Sequence, residues 1–231
     1  MTHVDLNLLA LDTSTDQLSV AVQRADGQRF AHTGAGGAQA SASLIPAVQA
    51  LLAQAGLSLS DLRAIAFGRG PGSFTGLRTA CSVAQGLAWG AGVPVLPIDT
   101  LLAVAEAARS AHGATHVLAL LDARMNEVYA AEYAWRDAAG WRPLSNIAVL
   151  APGAGAVLAG NAFAAYADRL PAALQALPRI AALPSADALL NLAPALLAAG
   201  AAVPAEQALP LYIRDKVAQT TAERSAAGLA R

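Results

Sequence analysis

Cysteine is nearly absent from this chain of 231 residues, which contains only Cys81. A lone cysteine excludes an internal disulfide and a thiolate metal cluster, and it favours a reducing compartment. Histidine is almost as scarce. His112 and His116 stand four residues apart, but Gly113 interrupts any helical face that they would share. The sequence therefore predicts a cytoplasmic protein with no metal site of its own.

Charge is also sparse, because only 13% of the residues are charged and the formal net charge is −1. This balance gives no general attraction to nucleic acid or to membranes, so any RNA contact requires a local patch or a partner. The most apolar stretch, residues 186–203, is interrupted by Asp187, Asn191 and Pro194. No apolar run reaches the roughly 18–20 residues of a spanning helix, and the first residues lack the basic region of a signal peptide.

Short apolar runs alternate with stretches that have helical spacing, which predicts an α/β fold with a partly parallel sheet. The predicted strands of the first half are residues 6–11, 18–23, 28–33, 64–67 and 93–98. Its predicted helices are residues 41–55, with Pro46 in the first turn, 73–89 and 99–111. In the second half we predict strands at 127–135, 141–150 and 156–160, a helix beginning near 161, and a helix at 185–199 kinked or interrupted at Pro194.

Two segments of the chain share one layout. Residues 8–22 and 117–131 each contain an apolar strand that ends in aspartate, a short polar loop and a second strand. Asp12 and Asp122 occupy the same place in the two units. This predicts an internal duplication, with lobes at residues 1–113 and 114–231 and a flexible tail from Gln219.

A duplicated chain with an aspartate at the end of the first strand of each half resembles the proteins with the fold of actin, hexokinase and Hsp70. In that fold, two hairpins face each other and hold the phosphates of ATP. Asp12, Thr13 and Ser14 suit such a turn, because small residues let backbone N–H groups approach phosphate. Asp122 is followed by the bulky Arg124 and by no glycine, so the predicted nucleotide cleft is degenerate. The alternative is that both aspartates merely end their strands.

The run FGRGPGSFTGLR, residues 67–78, stands between a predicted strand and a predicted helix. It lacks the Gly-Lys-Ser/Thr ending of a phosphate loop, so we interpret its glycines as positive-φ turn residues and Ser73 as the N-cap. The following helix has small residues on one face: Gly76, Ala80, Ala84, Ala88 and Gly90. Such a face allows close approach of another helix, within the fold or across a subunit interface. Ser14, Ser73 and Cys81 have no evident base beside them, so we predict no catalytic residue.

Five blocks of the sequence resemble the TsaB (YeaZ) family. They are LALDTST, GRGPGSFTGLR, AQGLAWGAGVPVLPIDTL, LLDARMNEVYAAEY and PLYIRDKVA, in this order along nearly the whole chain. The resemblance implies a duplicated actin-like (ASKHA) fold with two lobes of mixed sheets flanked by helices. It also implies a non-catalytic scaffold that acts with the larger paralogue TsaD and the ATPase TsaE. Together these proteins place a threonylcarbamoyl group on N6 of adenosine 37 in tRNAs that read codons beginning with A.

The resemblance further implies pairing with TsaD, or self-pairing in its absence, through helices that match residues 41–55 and 73–89. The interface residues expected from it are Leu44, Val48, Leu51, Ser73, Gly76, Leu77, Ala80 and Ala84. In TsaD a histidine pair binds metal, whereas residues 94–106 of this chain contain no histidine, and Asp99 and Thr100 stand where those ligands would begin. ATP and metal would then belong to the partner complex, and tRNA contact would be indirect.

Two other classes of function remain open at this point. One is an actin-fold enzyme, either a kinase-like ATPase or a glycoprotease-type peptidase. The other is an independent nucleotide-binding regulator.

Overall fold

The computed structural model describes residues 6–124, 127–137, 139–149, 157–166, 170 and 172–213. The tail predicted to be flexible from Gln219 lies outside these residues, as does Met125 of the second predicted turn. No helix within the described ranges is long and apolar enough to cross a membrane.

The first sheet contains five strands in the order β3-β2-β1-β4-β5. Their bounds are β1 (Leu8–Asp12), β2 (Gln17–Gln23), β3 (Arg29–Ala35), β4 (Ala64–Gly70) and β5 (Val95–Asp99). The first three strands are antiparallel, whereas β4 and β5 run parallel to β1. All of β1 is buried because alternate residues face helices on opposite sides of the sheet.

The second sheet repeats this arrangement, with the order β8-β7-β6-β10-β11 and the short β9 paired to β7. Its strands are β6 (His116–Asp122), β7 (Val128–Arg136), β8 (Gly140–Pro143), β9 (Ala148–Val149), β10 (Val157–Gly160) and β11 (Arg179–Ala181). The same antiparallel and parallel pairings recur in the same places. Asp12 and Asp122 therefore end equivalent strands, as the duplicated sequence pattern predicts.

Helices lie in layers around and between the two sheets. They are α1 (Ala40–Ala55), α2 (Phe74–Ala91), α3 (Thr100–His112), α4 (Ala162–Tyr166), α5 (Ala172–Gln175) and α6 (Ala186–Ala198). Helices α1 and α2 cover one face of the first sheet, and α6 covers the other. Helix α3 packs against the second sheet, with α4 on that sheet's far side.

The structure contradicts the predicted first-turn position of Pro46 and the predicted interruption at Pro194, whereas the alternative of a kink at Pro194 stays a prediction. Pro46 lies in the interior of α1, because the helix begins at Ala40 after a short 3-10 turn. Helix α6 continues through Pro194. Helix α6 is held from both sides by the first sheet and by α3, and this packing offsets the hydrogen bond that proline removes.

The boundary predicted at residue 113 separates the strands of the two sheets but not the helices. Helix α6 comes from the second half of the chain and packs on the first sheet. Beyond it, Val203 forms a bridge to Val95 of β5, and Ala205 and Ala208 join the core beneath α2. Residues 186–208 therefore complete the first lobe, because the apolar side chains on both faces of its sheet must be buried against other elements.

The buried carboxylate of Glu106 forms hydrogen bonds to residues of both lobes. Glu106 of α3 accepts two hydrogen bonds from Arg109, one from Ser110, one from Trp141 of β8 and one from Asn191 of α6, at 2.8–3.2 Å. Burial alone would raise the pKa of Glu106, but the bonds from Arg109, Trp141 and Ser110 outweigh it and hold the pKa below its usual value. The ionised carboxylate thus links helices on both sheets.

Replacing Glu106 with Gln should lower the free energy of unfolding by about 2 kcal/mol, because the buried carboxylate accepts five hydrogen bonds and an amide NH2 in its place would face some of those donors. Urea denaturation at neutral pH measures this loss. Glu206→Gln removes an exposed carboxylate and should change the value by less than about 0.5 kcal/mol. Equal effects of the two substitutions would show that the Glu106 cluster adds no specific stability.

Candidate functional site

The first hairpin turn, residues 12–14, sits against the glycine loop, residues 68–76, without room for side chains between them. A Cβ on Gly76 would lie 1.8 Å from the carbonyl oxygen of Thr13, and one on Gly72 would lie 2.5 Å from that of Ser14. A Cβ on Gly68 would lie 1.8 Å from Oδ2 of Asp12. Gly72 and Gly76 are required because the two backbones approach closely, and Gly68 is required because a Cβ there would overlap the Asp12 carboxylate.

This finding corrects the interpretation of the glycines as turn residues with positive φ. Within the glycine loop only Gly70 has such a φ, at 125°. The prediction of an N-cap is confirmed, since the hydroxyl of Ser73 accepts a hydrogen bond from Gly76 N. The contact with the turn is completed by Ser73 N donating to Ser14 O and by the Thr13 hydroxyl donating to Gly76 O, each at 2.7 Å.

Asp12 and Thr13 are fully buried and do not line the cleft between the lobes. Oδ1 of Asp12 accepts bonds from the amide and hydroxyl of Ser14, at 2.9 and 2.7 Å, while Oδ2 has no hydrogen-bond partner. Burial raises the pKa of Asp12 to about 6, against the opposing effect of the Ser14 bonds. Neither residue is open to a ligand, which corrects their assignment to a nucleotide site.

The cleft itself is a cavity of about 360 Å³ where the turn of the first hairpin faces the turn of the second. Ser14 and Asp122, the other two predicted cleft residues, lie on its opposite walls. The remaining lining comes from both lobes: Thr15, Asp16, Gly37, Gly72, Ser73, Phe74, Leu121, Ala123, Arg124, Tyr129 and Asn161. The structure thus brings together half of the predicted cleft residues.

The carboxylate of Asp122 is already engaged by protein groups. Its Oδ1 accepts from the hydroxyl of Tyr166 and from Arg124 N, both at 2.7 Å, and its Oδ2 pairs with the Arg124 guanidinium at 3.2 Å. Arg124, whose φ is 61°, also reaches Asp16 across the cleft at 3.5 Å. With both oxygens occupied, Asp122 is poorly placed to organise a magnesium ion.

Sequence reasoning missed two residues that shape this wall, Tyr166 and Asn161. Asn161 Oδ1 accepts from Asp122 N at 3.0 Å. It follows Gly160, where a Cβ would lie 1.8 Å from Leu120 O, so Gly160 resembles the glycines of the first lobe in allowing close approach. A glycine in the strand that pairs parallel with the first strand of each half, β4 and β10, was the signal that could have located this position.

Seven of the eight predicted interface residues are buried inside the first lobe. They are Leu44, Val48, Leu51, Gly76, Leu77, Ala80 and Ala84. Gly76, Ala80, Ala84 and Ala88 of the small face of α2 pack inward on the first sheet, whereas Gly90 is exposed. Ser73 is exposed but caps the helix. The seven buried residues are therefore wrong as contacts with a partner, whereas the exposed Ser73 stays a prediction.

The outward faces of α1 and α2 carry a different set of side chains. Ile45 and Trp89 are exposed by 42% and 71%, and Phe74 at the start of α2, exposed by 45%, also lines the cleft. The 16 residues of α1 and the 18 of α2 include a single charged residue, Arg78. A surface helix of a monomer normally carries charged residues on its solvent side. We call the outward sides of α1 and α2 the uncharged face.

The residues at the expected metal position make internal contacts. Asp99 accepts a hydrogen bond from Arg69 Nε at 2.6 Å, and the Thr100 hydroxyl donates to the carbonyl of Pro71. Among the residues described, no three or more of His, Cys, Asp and Glu cluster in a way that could hold a metal ion.

Known proteins of similar sequence match this chain across both lobes. The TsaB protein of Escherichia coli, named for tRNA threonylcarbamoyladenosine biosynthesis, is 38% identical over 224 residues, with 92% of this chain and 96% of that protein covered. The chain belongs to the TsaB family. The TsaB protein of Haemophilus influenzae is 48% identical over 125 residues, covering 54% of this chain and 52% of that protein.

Solved structures agree with the TsaB assignment and with the fold. YeaZ from Pseudomonas aeruginosa is 41% identical, with a TM-score of 0.81 over 90% of this chain and 99% of that one. Another crystal structure from that organism, described as similar to peptidase YeaZ, has a TM-score of 0.82. The family model "TsaD: tRNA N6-adenosine threonylcarbamoyltransferase" matches residues 29–140. The chain has the duplicated, two-lobed actin-like fold of mixed sheets flanked by helices.

The close contact at Gly76 yields a stability prediction. Gly76→Ala should lower the free energy of unfolding by about 3 kcal/mol, because its Cβ would overlap the Thr13 carbonyl. Gly86→Ala on the same helix has open space and should raise stability by up to about 1 kcal/mol. Thermal and urea denaturation measure both effects, and a stable Gly76→Ala variant would show that the turn can move away.

The raised pKa of Asp12 yields a pH prediction. Its stabilising contribution is complete below the ordinary pKa of 3.8 and is lost as pH rises through about 6, because ionisation leaves a buried carboxylate with one unpartnered oxygen. Asp12→Asn cannot ionise, so its stability relative to the wild type should rise by about 2–3 kcal/mol between pH 4 and pH 8. Urea denaturation across this range would contradict the idea if the difference were independent of pH.

Proposed function

We propose that the chain is a non-catalytic partner subunit, acting in the cytoplasm, for threonylcarbamoylation of N6 of adenosine 37 in tRNAs that read codons beginning with A. Its partners are the catalytic paralogue TsaD and the ATPase TsaE, and tRNA contact runs through the complex. ATP and metal belong to those partners. The observation that carries the proposal is the uncharged face of α1 and α2.

Exposed apolar side chains that are grouped together mark surfaces that are covered in an assembly. Ile45, Phe74 and Trp89 are spread over two adjacent helices, so their cover must be a broad surface rather than a small ligand. The transferase family model spans residues 29–140, which include both helices. This supports a partner related to the chain itself, whose matching helices would meet α1 and α2 as a bundle.

The contacts in the cleft support a subunit that does not itself catalyse a reaction. Asp12 is sealed behind the glycine loop, and both oxygens of Asp122 are taken by Tyr166 and Arg124. In an actin-fold ATPase, carboxylates at these two places would face phosphate and its magnesium ion. Here they stabilise the turns instead.

A second copy of the chain is the competing occupant of the uncharged face. Self-pairing through α1 and α2 would cover the same apolar side chains when the paralogue is absent. The two occupants are then mutually exclusive, and the chain would exchange one for the other.

Placing a charge on the uncharged face should prevent pairing. Ile45→Arg and Trp89→Arg should each weaken binding to TsaD by more than about tenfold, because a guanidinium buried in an apolar interface loses its hydration. Co-elution and calorimetry measure binding, and mass spectrometry of tRNA nucleosides measures the modification. Leu144→Arg alters an apolar residue, 50% exposed, in the second lobe and should leave both unchanged. Full modification in cells that lack the chain would refute the proposed role.

A further inference from the structure

Strand β3 (Arg29–Ala35) lies at the edge of the first sheet, and among the described strands it pairs only with β2. All seven of its residues keep one register with β2, without a bulge such as the one that interrupts the β4–β5 pair. The strand contains no proline, lysine, aspartate or glutamate. Natural proteins normally use such residues or a bulge to block a sheet edge. Strand β3 is therefore an open edge, which we call the β3 edge.

The backbone of β3 directs every second residue away from the sheet. At one end of the β2–β3 pair, Gly36 N donates to Asp16 O at 2.8 Å. At the other end, Arg24 N donates to Gln28 O at 2.8 Å. Hydrogen-bonded residues alternate with non-bonded ones along an antiparallel pair, so the even-numbered residues of β3 bond to β2. The N–H and C=O groups of the odd-numbered residues point outward: Arg29, Ala31, Thr33 and Ala35.

The side chains beside these outward groups leave the edge accessible. The odd-numbered residues are all exposed, because α6 lies over β1, β2 and β4 on that side of the sheet. Ala31 and Thr33, in the middle of the strand, are small. Arg29 is the only charged residue of the strand; it stands at the first position and pairs with Asp187 of α6 at 3.7 Å. The middle of the β3 edge is thus uncharged and can accept another strand.

A second copy of β3 complements this edge. When two β3 strands meet antiparallel about a two-fold axis, one register pairs all seven residues, and it places Ala31 opposite Thr33 of the other copy. Each outward residue then meets another outward residue, so every outward N–H and C=O gains a partner. Arg29 lies opposite Ala35, which keeps the two guanidinium groups at opposite ends of the contact, and like charges do not face each other.

We propose that the β3 edge is a self-association surface, at which the β3 strand of a second copy adds antiparallel and joins the two first sheets into one continuous sheet. Two strands of this length supply only part of the roughly 1,200 Å² that a stable interface buries, so the dimer is weak and depends on concentration. The edge points along the plane of the sheet, whereas α1 and α2 cover its face. Pairing at β3 therefore leaves the uncharged face open and does not depend on the proposed function.

Amide hydrogen exchange of the full chain, measured by NMR over about a hundredfold range of concentration, tests the pairing. The amides of Ala31 and Thr33 should exchange at least about tenfold more slowly at the highest concentration, whereas those of Phe30, His32 and Gly34 should be protected throughout by β2. Fast exchange of Ala31 and Thr33 at every concentration would overturn the proposal. Equal protection at every concentration would also overturn it, because the cover would then come from the chain itself.

Sedimentation velocity of the Trp89→Arg variant separates the two modes of self-association. This substitution blocks pairing through the uncharged face and leaves β3 unaltered, so the variant should still dimerise at high concentration. A variant that stays monomeric would overturn the proposal. If that happens while Trp89→Arg weakens binding to TsaD, only the pairing at β3 fails. If the variant dimerises and binds TsaD as tightly as the wild type, only the proposed function fails.

A charge in the middle of the β3 edge provides a matched pair of variants. His32 lies opposite its own copy in the two-fold register, so His32→Lys brings two ammonium groups together and should weaken the dimer at least about tenfold. His112→Lys makes the same change at the exposed end of α3 and should stay within about twofold of the wild type. Equal dimerisation of His32→Lys and the wild type would overturn the proposal.

Discussion

The rest of the structure depends on the contact between the first hairpin turn and the glycine loop. Gly68, Gly72 and Gly76 leave no side chain between the two backbones, so the turn lies directly on the loop that begins α2. This contact sets the position of α2 on the first sheet and seals Asp12 behind it. Close-packed interiors tolerate little movement, so one contact determines both the buried and the outward face of the helix.

The same contact explains why the actin-like cleft has few polar groups that are free to bind phosphate. Thr13 bonds the glycine loop rather than facing the cleft, and Ser14 is shared between Asp12 and Ser73. Across the cleft, Asp122 is held by Tyr166 and Arg124. Polar groups that could contact phosphate are thus used to hold the turns.

The two lobes have the same sheet topology but cover their sheets with different helices. Gly160 allows the second sheet the close approach that the glycine loop allows the first, but only the first lobe continues from there into a long helix with an exposed apolar side. The first lobe also takes α6 from the second half of the chain to cover its sheet. The Glu106 cluster then joins the two lobes through α3. The two halves share a topology but differ in the helices that cover their sheets.

The alternation of strands and helices, the equivalence of Asp12 and Asp122, the N-cap at Ser73 and the family could all be predicted from the sequence. These features depend on local periodicity, on hydrogen bonds between residues close in the chain, or on blocks of several residues. Contacts between residues far apart in the chain were needed to show that most of the small face of α2 packs inward and that Tyr166 bonds to Asp122. They were also needed to show that residues 186–208 return to the first lobe. A helical spacing of small residues indicates that another structural element packs closely against that face of the helix. Whether this element is the chain's own sheet or a partner protein depends on contacts between residues far apart in sequence.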